Sequence, residues 1–175
     1  KSQFDTIEAL IRQDIDWTKV EMFHLDEYIG ISEAHPASFR KYLKDRFLSK
    51  ITIGMAHLIH GDGDLHEEIR DLTVAIRQEP IDLALIGIGE NAHIAFNDPP
   101  ADFDTKEAYR IVALDKQCRE QQVGEGWFSS VDEVPKLAIS MTVHQIMRSK
   151  TIVSSVPFAV KAEAIKKMTE NDVTN

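Results

Sequence analysis

The segment IDLALIGIGENAHIAFNDPP, residues 81–100, sets His93 two residues after Asn91 and five before Asp98, on a stretch that leaves a run of apolar residues. A carboxylate bonded to one imidazole nitrogen fixes the ring tautomer and raises its basicity, which suits a general acid and base near neutral pH. The same spacing also occurs in histidines that only cap or hold a loop. A second group lies in FHLDEYIG, where Asp26 and Glu27 directly follow another apolar run. At the end of a buried strand, desolvation raises a carboxyl pKa toward that of a useful base. The alternative is that both acids cap a turn or face water. A third is Lys161 in PFAVKAE, in the first turns of a C-terminal helix whose amides favour anions. By itself it reads equally well as a solvated lysine.

GIGENA, with Gly87 and Gly89, also satisfies the bare pattern of a dinucleotide-binding turn. That site needs a long helix opening at the glycines, with its amino terminus on the pyrophosphate. Pro99 and Pro100 forbid such a continuation. The glycines are therefore expected to let the backbone approach a small ligand or a neighbouring strand closely. His57, His60, Asp62, Asp64 and His66 contain metal-ligating types, but their spacing matches no fixed motif. They read as a glycine turn leading into a capped helix, and no metal site is expected.

The elements that must hold these residues follow from apolar spacing. Strands are expected at 20–25, 56–59, 81–86, 109–114, 137–141 and 151–156. Helical stripes begin at Phe4, at Pro36 and after Asp64, whose Glu67 three positions on resembles a capping box. A last helix is expected over 158–168. Strand and helix in alternation predict an α/β fold: a three-layer, Rossmann-like, mostly parallel sheet with helices on both faces. Ligands of such sheets bind beyond the carboxyl ends of the strands, where all three candidate segments fall.

At 175 residues and 43% hydrophobic content, the chain suits one domain over 1–175. Twenty basic against twenty-nine acidic side chains, a formal charge of -9, leave no overall basic field for nucleic acid or an anionic membrane, while a small anion can still bind locally. The single cysteine, Cys118, excludes an intramolecular disulfide framework and fits a reducing compartment. No run approaches eighteen apolar residues and the start carries no apolar signal core, so a cytoplasmic protein is expected. A homo-oligomer is compatible with these features.

FHLDEYIGISEAHPASFRKYL, GIGENAHIAFNDPP and VPKLAISMTVHQIMRSKTIVSSVPFAVKAEAI, taken together and in this order, resemble the glucosamine-6-phosphate deaminase (isomerase) family. The resemblance runs from about Val20 to Met168. The related 6-phosphogluconolactonases share a similar loop but differ after the histidine. It implies conversion of glucosamine 6-phosphate and water to fructose 6-phosphate and ammonia, with no cofactor. Asp26 would move the C2 proton to C1, His93 held by Asp98 and Asn91 would open the ring, and Lys161 would meet the phosphate. Glu27, Gly87 and Gly89 would complete the substrate site. The sequence departs from the family in three places. Asn91 replaces an acidic residue, Glu125 to Phe128 stand where the family carries a phosphate-binding arginine, and a phosphate loop expected before FHLDEY is not in this sequence. The fold is thus expected to be incomplete at both ends. A sugar-phosphate-binding homologue without catalysis is the alternative function, and a lactonase a more distant one.

Overall fold

The computed structural model describes residues 2–170, and the expectations about the chain's two ends lie outside them. Helix α1 (Phe4–Ile11) is followed by β1 (Glu21–Phe23), β2 (Asp26–Tyr28), α2 (Phe39–Arg46), β3 (Met55–His57), α3 (Leu65–Ile76) and β4 (Leu83–Ile86). Then come β5 (Tyr109–Ala113), α4 (Lys116–Gly124), β6 (Leu137–Met141), α5 (Val143–Met147), β7 (Thr151–Ser154) and α6 (Ala162–Glu170). Every strand expected from an apolar run is present: β6 has the expected bounds, β3 starts one residue earlier and ends two sooner, and the others are one to three residues shorter. Helix α3 starts where its cap predicts, with the Asp64 carboxylate accepting from His66 N and Glu67 N.

Two strand pairs are parallel, β1 with β3 and β4 with β7, as alternating strands and helices require. A third sheet, β2-β6-β5, is antiparallel throughout. It arises because the chain changes sheets within two residues of the end of β1. His24 N still bonds His57 O of β3, whereas Leu25 O already accepts from Met141 N of β6. HLDEY is therefore not a loop beyond a strand but the join between two strands, and Asp26 opens the second.

Two apolar clusters hold these sheets to their helices. In one, Ile59, Ile76, Ile86, Tyr109, Ile139 and Ile146 bring α3, β4, β5, β6 and α5 together. In the other, Tyr28, Phe96, Phe128, Cys118 and Ala138 bind β2 and β6 to α4 and to the loop after β4. Each large apolar side chain removed from water contributes about 1.5–3 kcal/mol, so the loop is fastened by Phe96 as firmly as a core element. The loop contains no helix, as Pro99 and Pro100 require.

Candidate active site

Residues 87–100 form a tight loop whose shape comes from its own backbone. Gly89 N donates to His93 O at 2.8 Å and Ala92 N to Gly89 O at 3.1 Å. Ala92 takes a left-handed φ of 69° to close this turn. A side chain on Gly89 would collide with the His93 ring. This glycine therefore makes room for the imidazole, while the space beside Gly87 is bounded by the Ser2 hydroxyl just ahead of α1.

The turn brings His93, Asn91 and Asp98 together. His93 Nδ1 lies 2.9 Å from Asp98 Oδ1 and 2.5 Å from Asn91 Oδ1. Asn91 also accepts from His93 N at 3.3 Å and donates through Nδ2 to Asp98 Oδ1 at 3.3 Å. With two acceptors facing it, Nδ1 is the nitrogen that carries hydrogen in the neutral ring, which leaves Nε2 as the acceptor. The amide at Asn91 thus orients the ring and spans to the carboxylate at once. The His93 and Asp98 side chains are only 8% and 6% exposed. Burial tends to raise the Asp98 pKa, but hydrogen bonding and charge from His93, with bonds from Asn91 and Asp115 N, prevail and hold it below the usual range.

The thiol of Cys118, the fourth residue gathered here, was not singled out by sequence reasoning as part of the site. Its sulfur and the ligating atoms of His93 and Asp98 all lie within 4.8 Å of one another. Desolvation first, then the charge of Asp98 and hydrogen bonding to it, push the thiol pKa up, so it stays protonated. Among the described residues this trio is the one cluster able to ligate a metal ion. In the arrangement observed, a metal would have to replace the hydrogen on Nδ1 and that on sulfur. Asp115, which caps α4 by accepting from Cys118 N at 2.6 Å, was the available sequence signal for this position.

Asp26 approaches from the other side. It pairs with Ser140 across β2 and β6, and the Ser140 hydroxyl accepts from Phe96 N at 3.1 Å and from Asn97 Nδ2 at 3.3 Å. The residue opposite Asp26 therefore anchors the His93 loop. Asn97 strengthens that anchor, also donating to Ile94 O and Met141 O at 3.0 and 2.8 Å. The Asp26 carboxyl is half-buried and accepts no hydrogen bond from a described residue. Desolvation, and then the negative charge of Glu27, push its pKa up to about 7.

Glu27 is fully buried and turned away from this cleft. It accepts from Ser38 Oγ, Phe39 N and Arg40 N at the start of α2 and pairs with the Arg40 guanidinium at 3.6 Å. Its oxygens are committed to fixing a helix.

Lys161 ends a short 3-10 turn, residues Ala159–Lys161, just before α6. It lines a cavity of about 630 Å³ that also meets Glu90, Gln121 and Glu125. A second cavity, of about 520 Å³ between α1 and α2, holds none of the candidate residues. The arrangement brings together His93, Asn91 and Asp98 directly and Asp26 through Ser140, with Lys161 linked through Glu90 of the same loop. Such a set can shuttle a proton at one position of a small ligand and remove one at another.

Comparison with known proteins identifies the family and the fold. Residues 2–175 match the family model described as glucosamine-6-phosphate isomerases/6-phosphogluconolactonase. The glucosamine-6-phosphate deaminase of Oenococcus oeni is 36% identical over 168 residues, covering 95% of this chain and 70% of that protein. That of an Exiguobacterium species is 36% identical over 164 residues, covering 93% of this chain and 63% of its own length. Among solved structures, a monomeric glucosamine-6-phosphate deaminase superposes with a TM-score of 0.85 at 32% identity, covering 97% of this chain and 72% of the other. The 6-phosphogluconolactonase of Thermotoga maritima shares the fold with a TM-score of 0.76 at 14% identity, over 98% of this chain and 73% of that one. With the family model spanning nearly every residue and a 36% identical relative matched over more than two thirds of its length, the chain belongs to the glucosamine-6-phosphate isomerase/6-phosphogluconolactonase family.

Proposed function

We propose that this chain carries the proton-transfer site of a glucosamine-6-phosphate deaminase, releasing ammonia from glucosamine 6-phosphate and water to give fructose 6-phosphate. The observation that carries this reading is the Asp26 carboxyl, which accepts no hydrogen bond from a described residue and has its pKa pushed up to about 7, opposite the serine that anchors the His93 loop. An aldose-to-ketose shift needs a base beside C2 and a separate shuttle at the ring oxygen. His93, with hydrogen on Nδ1 and Nε2 free, takes the proton from O1 and returns it to the ring oxygen, opening the sugar. Asp98 stabilises the imidazolium formed in between. Asp26 then removes the C2 proton and delivers it to C1 while a proton of the substrate's ammonium passes to O1, and water adds to the C2 imine so formed to expel ammonia.

Asn91 serves as an orienting amide where a charge would otherwise help. Gly87 and Gly89 shape the loop beside the substrate, Glu27 acts on Asp26 through its charge, and Lys161 supplies a cation for the phosphate. A free, protonated Cys118 suits a reducing, cytoplasmic setting. No helix among the described residues is long and apolar enough to cross a membrane.

The test is to incubate the full-length protein with glucosamine 6-phosphate and measure ammonia and fructose 6-phosphate together. Both are expected in equal amounts. Bound sugar phosphate without ammonia above background would reject the deaminase and leave a binding protein.

A further inference from the structure

Lys161 reaches the His93 loop through Glu90 and is flanked by a second carboxylate, Glu125. Its side chain is 8% exposed, and its ammonium lies 3.7 Å from Glu90 Oε1 and 3.9 Å from Glu125 Oε1. Neither contact reaches hydrogen-bond length, so the carboxylates flank the ammonium without capping it. Their positions are built in. Gln121 accepts from Glu90 N at 3.2 Å and donates to Glu125 Oε1 at 2.8 Å, and Trp127 Nε1 donates to Glu125 Oε2 at 3.3 Å. Glu120 lines the same cavity. Glu120 pairs with Lys116 at 3.4 Å, so Glu90 and Glu125 are the two carboxylates that flank the ammonium.

We infer that Glu125, together with Glu90, is a specificity-determining residue that holds down the affinity of the Lys161 site for phosphate. An anion reaching the open face of the ammonium finds unused donors there but sits within a few ångströms of both carboxylates. A phosphate group carries up to two negative charges near neutral pH, so it meets the strongest repulsion. The site is thereby tuned to hold a sugar phosphate loosely and to release it. This rests on the reading of Lys161 as the phosphate contact, and the experiment separates the two.

Binding of inorganic phosphate to the full-length protein is measured by calorimetry for wild type, Glu125→Gln, Glu90→Gln, Glu120→Gln and Lys161→Met. Glutamine removes the charge and keeps one acceptor oxygen, enough at position 125 for Gln121 or Trp127 but not both, whereas Glu90→Gln disturbs neither of those bonds. Glu125→Gln and Glu90→Gln are each expected to tighten binding about tenfold. Glu120→Gln, which does not pair with Lys161, changes it only two- to threefold, and Lys161→Met abolishes it. Glu90→Gln carries the test should Glu125→Gln fail to fold. Unchanged or weaker binding in both flanking variants, or equal gains in all three glutamine variants, would overturn the inference. Binding undisturbed by Lys161→Met, or absent from every variant, would overturn it as well. Ammonia release is scored separately, so loss of the deaminase reading is recognised by missing product while the phosphate affinities still decide this one.

Discussion

Near neutral pH about half of the Asp26 carboxyls carry a proton, because burial and Glu27 push its pKa up to about 7. A base acts in its ionised form, so deaminase activity should rise with pH through about 7 and level off above it. Asp26→Asn should lower kcat by about 10²–10⁴-fold and remove exchange of the C2 proton with solvent, seen as lost deuterium incorporation at C1 in heavy water. Stability should move the other way. Between pH 3.8 and about 7 the folded chain keeps a proton on Asp26 that the unfolded chain has released. The folded state is therefore favoured most below pH 3.8 by this group, and that contribution is lost as pH rises through 7. Asp26→Asn should then stabilise the protein at pH 8 by about 1–2 kcal/mol, the figure being reduced for the water that reaches a half-buried group. Denaturant titrations at pH 5 and pH 8 check this, with the gain expected chiefly at pH 8.

The loop after β4 works as an element because of Asn97, whose amide ties it to Ile94 O, Ser140 Oγ and Met141 O. Asn97→Ala removes all three of these bonds, leaving Met141 O only the Ser140 hydroxyl as a side-chain donor, and frees the loop, so it should cost about 2–3 kcal/mol and lower kcat more than it raises KM. Denaturant midpoints and steady-state kinetics on the same variant test the pairing of those effects. Neither Asn97 nor Ser140 was legible as part of the site, since they lie 43 residues apart and only the folding of β6 beneath the loop joins them. His93, Asn91 and Asp98 were legible because their contacts are local. Strands with continuous apolar runs and helices with caps could also be found in advance. Strand β2 could not, being three residues long and starting with two acids. Helix α4, KQCREQQVG, shows the same limit. It buries only Cys118 and Gln122, too little to leave an apolar stripe.

Across the whole molecule, a formal charge of -9 surrounds a site proposed to take an anion. The long-range field repels a sugar phosphate, while Lys161 attracts it only at short range and is itself flanked by Glu90 and Glu125. Screening acts on these differently. Raising monovalent salt from 10 to 150 mM shortens the screening length from about 30 to about 8 Å, which removes most of the distant repulsion and leaves the half-buried ion pairs nearly untouched. For a basic enzyme on the same substrate, added salt would weaken capture. Here kcat/KM for glucosamine 6-phosphate should instead rise about two- to threefold over that range, with kcat unchanged, in potassium chloride chosen because chloride competes poorly for a phosphate site. A fall with salt would mean that capture is governed by local attraction to Lys161 and that the overall charge is not felt at the cleft.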